Sequence, residues 1–410
     1  MVAFEGGSDV SQRHNDDRPT LAERRGWPDT FPVSGAWKVG DPVFDRQFFT
    51  LPRPLALEGG GVLHEVQLAY ETWGTLNDAG DNAILICHAL TGDAHATGGS
   101  GGTYTDQGWW SQIVGPGAAI DTDRYFVVCA NVLGGCQGTT GPSSTNPATG
   151  RPYGSAFPQI TNRDIVRSQA LLANELGVNT WFSVVGGSMG GMAVLEWPAM
   201  FPNRVRSIAP IATTLAASPQ QIGWSAVGRL AIANDPHFNH GDYYDQDVGP
   251  GMGLAIAREI GLIHYRSDVE WSERFGREPL DRLDSFDWWG RFQVEGYLDH
   301  HGRKFPERFD ANTYIVLNRA MDLHDVARGR SSARQAFARF GGPSMTVSVS
   351  SDFLYPPHQQ AEIAEVLGMD GRSCTYHTIE SVYGHDGFLV EHAKLAPLLE
   401  EFFEKVHIDT

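Results

Sequence analysis

Ser188 has the surroundings of a nucleophile. Gly186-Gly187-Ser188-Met189-Gly190 fits G-x-S-x-G, with a strand-type run before it and a helical pattern after it. A serine in a tight strand-to-helix turn holds strained backbone angles, and neighbours bearing a Cβ would clash there. Gly186, Gly190 and Gly191 supply the room. Such a turn lifts the hydroxyl above the carboxyl edge of a sheet, and the helix N-terminus favours negative charge beside it. A glycine-rich turn cradling a phosphate is the competing reading. It is the poorer one, because no Lys follows and neither G-x-x-x-x-G-K-[ST] nor G-x-G-x-x-G is matched.

A serine nucleophile needs a base and an acid that orients it, in the chain order Ser, Asp, His for this turn type. Asp352 closes the strand-like run Ser344–Ser350 and precedes the Pro-broken Phe353-Leu354-Tyr355-Pro356, so it falls at a strand end. The alternative is an Asp that only caps a turn. His385 lies in Tyr383-Gly384-His385-Asp386-Gly387, a Gly-flanked loop before the last helical pattern. His377 falls inside a strand-like run, and His324 with Asp325 comes in the wrong order near a helix end. Ser188, Asp352 and His385 are therefore the expected triad. An oxyanion hole needs two backbone N–H groups. Met189 supplies one; the loop His88–Gly92 supplies the other, with Leu90 expected ahead of Thr91.

The elements that must hold these groups read as an α/β fold. Short apolar runs at Glu65–Tyr70, Ala83–Cys87, Tyr125–Ala130, Trp181–Val185, Ile208–Ala212 and Met345–Val349 have the character of strands buried on both faces. Helical patterns such as Asp164–Leu176 and Met189–Met200 separate the later ones, as in a doubly wound, mostly parallel sheet. From 215 to 340 the alternation stops, and helices are expected at Gly223–Ala233, Gly253–Ile263, Arg291–His300 and Asn312–Met321. The expected organisation is thus a core of 46–214 and 341–410 split by a helical cap at 215–340. Residues 1–45, polar and without period, read as a mobile N-terminal extension.

Composition limits the function. The 410 residues carry a net charge of −18, which argues against a nucleic-acid binder. Four cysteines without a CxxC pair exclude a disulfide scaffold, and no zinc-type spacing or H-E-x-x-H is present, so no metal is expected. The N-terminal residues lack the pattern of a secretory signal and no apolar window is long enough to span a membrane, so a soluble cytoplasmic protein is expected. Of the 31 basic residues 27 are Arg, the type suited to planar contacts with small anions.

In order from about residue 60 to the C-terminus, the strings HALTGDAH, NVLGGCQGTTGPSS, AFPQITNRD, VVGGSMGGM, SDFLYP and SVYGHDGFLVE resemble the homoserine O-acetyltransferase family of the α/β-hydrolase fold. The resemblance implies ping-pong acetyl transfer from acetyl-CoA to the L-homoserine hydroxyl, feeding methionine synthesis. It implies no permanently bound cofactor, and a homodimer through the cap helices. By motif, Ser188, Asp352 and His385 match the triad, and Arg258 in GLAIAREIGLIHYRS matches the partner of the substrate carboxylate. Asp386 matches the acceptor of the ammonium group, with Tyr265 and Thr91 as further substrate contacts; Arg229 is a second Arg candidate. Two departures stand out: His264 replaces the family's usual Thr before Tyr265, and the helix after Ser188 reads MAVLEW. A succinyl donor, a serine or other hydroxyl acceptor, a serine esterase and a silent binding protein remain the alternatives at this point.

Overall fold

The computed structural model describes residues 21–98, 107–280 and 290–408. Eight strands form the central sheet: β1 (Gln47–Thr50), β2 (Gln67–Trp73), β3 (Ala83–Cys87), β4 (Phe126–Ala130), β5 (Trp181–Gly187), β6 (Ile208–Ile211), β7 (Ser344–Val349) and β8 (Cys374–Ile379). Their order across the sheet is β1-β2-β4-β3-β5-β6-β7-β8. Only β2 runs against its neighbours; from β4 onward every pairing is parallel. Every residue of β3, β5, β6 and β7 is buried, which is why these runs lack polar alternation. The strand expected from Glu65 begins two residues later, because Glu65 itself takes a positive φ of 50° and breaks the extended backbone.

Twelve α-helices occur among the described residues: α1 (Leu21–Arg25), α2 (Asn162–Glu175), α3 (Met189–Met200), α4 (Pro219–Ala233), α5 (Gly251–Tyr265), α6 (Asp268–Phe275), α7 (Gln293–Lys304), α8 (Ala311–Asp322), α9 (Ala333–Ala336), α10 (Pro357–Gly368), α11 (Gly387–Val390) and α12 (His392–Ile408). Local chemistry sets their starts. Thr161 and Asp164 close a capping box on α2, Ser218 and Gln221 close one on α4, and Asp310 accepts the Thr313 N–H at the head of α8. The chain leaves the sheet after β6 and returns at β7, with α4–α9 between, and this excursion covers Ser188. Its start and end meet in a bridge between Ala216 and Asp325. Its return is fastened to the sheet layer by Arg163 of α2. That guanidinium pairs with Glu58 at 2.7 Å and Glu196 at 3.0 Å, and donates to the carbonyls of Asp325 and Arg328.

One expectation needs correction. Residues 1–20 of the proposed mobile extension lie outside the described residues, but the chain from α1 onward is packed rather than free. Trp27 and Phe31 are buried against Ala255 of α5, the Trp27 indole N–H donates to the Asp299 carbonyl, and Arg25 pairs with Glu259 and Asp299. Two aromatics and an Arg find partners on α5 and α7 that are more than 200 positions away in the sequence. No local period can announce such a contact.

Candidate active site

Ser188 sits between β5 and α3 with φ 59° and ψ −126°, a conformation that a non-glycine residue holds only when its surroundings impose it. They do. Its N–H donates to the Ile211 carbonyl at 3.0 Å, and its own carbonyl accepts from Thr213 Oγ1 at 2.9 Å. A Cβ on Gly190 would run into the Cys87 carbonyl oxygen, and one on Gly187 into the Phe388 ring. The glycines of the motif thus allow β3, α11 and the turn to close on one another.

The structure brings Ser188, His385 and Asp352 together. Asp352, just past β7, accepts the N–H groups of Leu354 and Tyr355 on Oδ1, both at 2.9 Å. Its Oδ2 lies 2.7 Å from His385 Nδ1, and His385 Nε2 lies 2.8 Å from Ser188 Oγ. A carboxylate can only accept, so Nδ1 carries the proton and Nε2 is left to take one from the serine. Three rings wall the imidazole: Tyr355 at 5.0 Å, Phe388 at 5.4 Å and Tyr265 at 5.9 Å between centroids. The loop carrying His385 reaches this position through Gly384, whose φ is 61° and where a Cβ would meet the Tyr265 carbonyl at 2.7 Å.

A narrow pocket opens on Ser188 and is lined by Leu90, Met192, Trp224, His264, Tyr265 and Tyr355, with Gln221, Asn318 and Asp322 as its polar members. Leu90 therefore stands where the oxyanion loop was expected. That loop is held firmly: the Val132 N–H donates to His88 Nε2 at 3.1 Å, and Arg308 donates to the Thr91 carbonyl at 3.0 Å. Thr91 is not among the pocket-lining residues. Met189 opens α3, where the first amides lack intrahelical partners. His264 stacks on Trp224 at 5.2 Å, and burial lowers its pKa to about 3, so it is a neutral wall rather than a second base.

The charged candidates are spread more widely. Arg258 stands over the Phe305 ring at 5.2 Å and is not among the residues lining the pocket, although its charge reaches Tyr265 and Asp386. Asp386 lies 3.5 Å from Arg266, which is not among the residues expected from the sequence. Burial raises the Asp386 pKa, against the opposing pull of Arg266. Arg229 is taken up by Asp322 at 2.6 Å. His324 is buried with Nε2 on the Thr214 carbonyl, and the Asp325 carboxylate accepts the Ala327 N–H, so this rival pair serves the cap's return. Among the described residues no group of His, Cys, Asp and Glu could hold a metal ion. Burial pushes the Cys87 and Cys136 thiols up to about 12, which removes them as nucleophiles.

Comparison with known proteins separates what geometry leaves joined. A family model described as alpha/beta hydrolase fold matches residues 82–391. The homoserine O-acetyltransferase of Thermobifida fusca (strain YX) is 53% identical over 371 residues, covering 90% of this chain and 97% of that protein. The enzyme of the same name from Moorella thermoacetica is 48% identical over 370 residues, covering 90% and 99%. Among solved structures, homoserine O-acetyltransferase from Bacillus anthracis superposes with a TM-score of 0.82 at 28% identity, covering 88% of this chain and 98% of that one. Esterase E22 superposes with 0.81 at 27% identity, covering 87% and 99%. Backbone shape therefore sits equally near a transferase and an esterase, while sequence sits much nearer the transferases. About half identical to those enzymes over nine-tenths of its length, the chain belongs to the homoserine O-acetyltransferase family of the α/β-hydrolase fold.

Proposed function

We propose that this protein transfers the acetyl group of acetyl-CoA to the hydroxyl of L-homoserine through an acetyl-Ser188 intermediate, as a step of methionine biosynthesis. The observation that carries this reading is the hydrogen-bonded Ser188–His385–Asp352 chain, set in a sequence so close to named homoserine O-acetyltransferases. Acetyl-CoA is a substrate here, consumed at each turnover, and no resident cofactor is needed.

His385 Nε2 takes the Ser188 proton as Oγ attacks the thioester, and the oxyanion lies against the Met189 and Leu90 amides. His385 then gives that proton to the CoA sulfur as the C–S bond breaks. Homoserine enters, with its ammonium at Asp386, whose carboxylate lies 3.5 Å from Arg266, and with its own carboxylate drawn to Arg258. Tyr265 walls the same space, and Thr91 steadies the oxyanion loop through its carbonyl. His385 removes the proton from the homoserine hydroxyl, which attacks the acetyl carbon, and Ser188 leaves with that proton.

The test is thiol release from acetyl-CoA or succinyl-CoA, with and without homoserine or serine. Release that requires homoserine and prefers acetyl-CoA is expected. Equally fast release without an acceptor would sink the transferase reading in favour of an esterase, the activity in the name of a structural neighbour at the same TM-score range. No helix among the described residues is long and apolar enough to cross a membrane. Action in the cytoplasm and pairing through the cap are part of this proposal. The exposed apolar side chains of Val227 and Leu230 on α4 support the pairing, and sedimentation tests it.

A further inference from the structure

His88 grips the loop of the second oxyanion donor from two sides. It follows β3 directly, precedes Leu90 by two positions and is 2% exposed. The Val132 N–H donates to its Nε2 at 3.1 Å, so that nitrogen carries a lone pair. Burial lowers the pKa and keeps the ring neutral, which leaves its one N–H on Nδ1. Nδ1 lies 2.8 Å from the Ala89 carbonyl oxygen and donates to it. The same oxygen accepts the Gly92 N–H at 2.9 Å.

The Ala89 carbonyl and the Leu90 N–H belong to one peptide unit. That unit is trans and planar, so its C=O and N–H point in opposite directions. Two donors on the carbonyl therefore fix the N–H as well, aimed away from the imidazole. Among the described residues no protein group accepts that N–H, and Leu90 lines the pocket on Ser188. The loop lies tight against the nucleophile's turn: a Cβ on Gly190 would stand 2.9 Å from the His88 carbonyl oxygen, and one on Gly92 3.1 Å from His88 Cβ. We propose that His88 is a positioning residue of the oxyanion hole: its Nδ1–H, by holding the Ala89 carbonyl, aims the Leu90 N–H at the oxyanion. This rests on the acetyl-Ser188 reading above and on its Leu90 donor. Both half-reactions pass through a tetrahedral oxyanion, the first on the way to C–S cleavage and the second on the way to C–Oγ cleavage. A misaimed donor therefore slows both.

An amide side chain can stand in for either ring nitrogen, Asn placing its NH₂ near Nδ1 and Gln its oxygen near Nε2. His88→Gln thus keeps the acceptor for Val132 and loses the donor to Ala89, and His88→Asn does the reverse. First-turnover thiol release, transfer to homoserine and the thermal midpoint are measured for both. His88→Gln is expected to lose about 10- to 100-fold in both steps, short of the roughly 10²- to 10³-fold that follows removal of such a donor. Its midpoint and its homoserine KM are expected to stay near the parent's. His88→Asn, which leaves the buried Val132 N–H without an acceptor, is expected to lower the midpoint yet recover most of that rate. Rates that follow the midpoint, with His88→Asn the slower of the two, would overturn the proposal and leave a packing role only. So would a His88→Gln enzyme as fast as the parent. Thiol release surviving in Ser188→Ala would instead remove the acetyl-serine reading. Full transfer after Leu90 is replaced by its α-hydroxy acid, which puts an oxygen where the N–H stands, would remove the Leu90 donor. Either result takes the proposal down at a step that the His88 variants do not touch, which distinguishes the failures.

Discussion

Replacing Asp352 by Asn gives the sharpest test of the triad geometry, because the structure fixes which way the amide must point. Oδ1 of Asp352 accepts two backbone N–H groups, from Leu354 and Tyr355. An Asn can serve both only by placing its carbonyl oxygen there, which turns its NH₂ toward His385 Nδ1, 2.7 Å away in the parent. Two donors then face each other, so the imidazole must move its proton to Nε2, where it can no longer accept the one on Ser188. The flipped amide restores the useful tautomer but leaves two backbone N–H groups without an acceptor. At about 1–3 kcal/mol each, that costs roughly 4 kcal/mol and limits the productive fraction to about one molecule in 10³. The unflipped form is expected to lose about 10⁴-fold, roughly 5 kcal/mol of transition-state stabilisation. Homoserine-dependent thiol release should therefore fall between 10³- and 10⁴-fold, with the thermal midpoint little changed. A folded Asp352→Asn enzyme that loses less than tenfold would refute both the hydrogen-bond directions and the assignment of Asp352.

Three further outcomes are expected. Asp386→Asn should raise the KM for homoserine by about 10- to 100-fold while leaving the first release of CoA intact, since only the ammonium loses a charged acceptor. Because burial raises the Asp386 pKa, the parent's homoserine KM should climb as pH falls, starting above the usual carboxylate range, and the variant's should stay flat; equal slopes in both would exclude this role. His324 is buried and neutral with its pKa lowered from 6.5 to about 3, so the unfolded chain binds its proton first and stability falls as pH drops from 6.5 toward 3. At pH 5 this amounts to about 2 kcal/mol, and His324→Gln, read by urea unfolding at pH 7.5 and 5, should recover it. Gly190→Ala pushes a Cβ into the Cys87 carbonyl at the entry to the oxyanion loop, and should cost about 1–3 kcal/mol in guanidinium unfolding together with most of the transfer rate.

Much of this was readable from the sequence wherever the cause is local. β3 and α3 have the expected bounds, Ala83–Cys87 and Met189–Met200, because an apolar run buried on both faces and a glycine-punctuated turn each carry their own signal. The expected triad residues converge because each stands in a loop just past a strand of a parallel sheet, whose carboxyl ends share one edge. What escaped depends on contacts between distant segments. Trp27 and Phe31 gave no hint of docking on α5, and α6 was not foreseen. Nothing in the spacing of SAVGRLAIA says that Arg229 is claimed by Asp322. The motif points to Arg258 and not to Arg266, eight positions later, because a motif ranks residues by type while the fold decides which side chain reaches Asp386. Tyr355 lies within SDFLYP, and only its three-dimensional neighbours show that its ring walls His385.

The strap formed by α1, Trp27 and Phe31 also orders events during synthesis. Arg25 meets Asp299 across 274 residues of chain, so its partner does not yet exist when it leaves the ribosome. At about 5–20 residues per second, the strap waits roughly 15 to 55 s with two large aromatic side chains uncovered. Its docking reports the completion of α5 and α7. A ribosome stalled within that interval should present a segment that chaperones bind and that the finished protein hides.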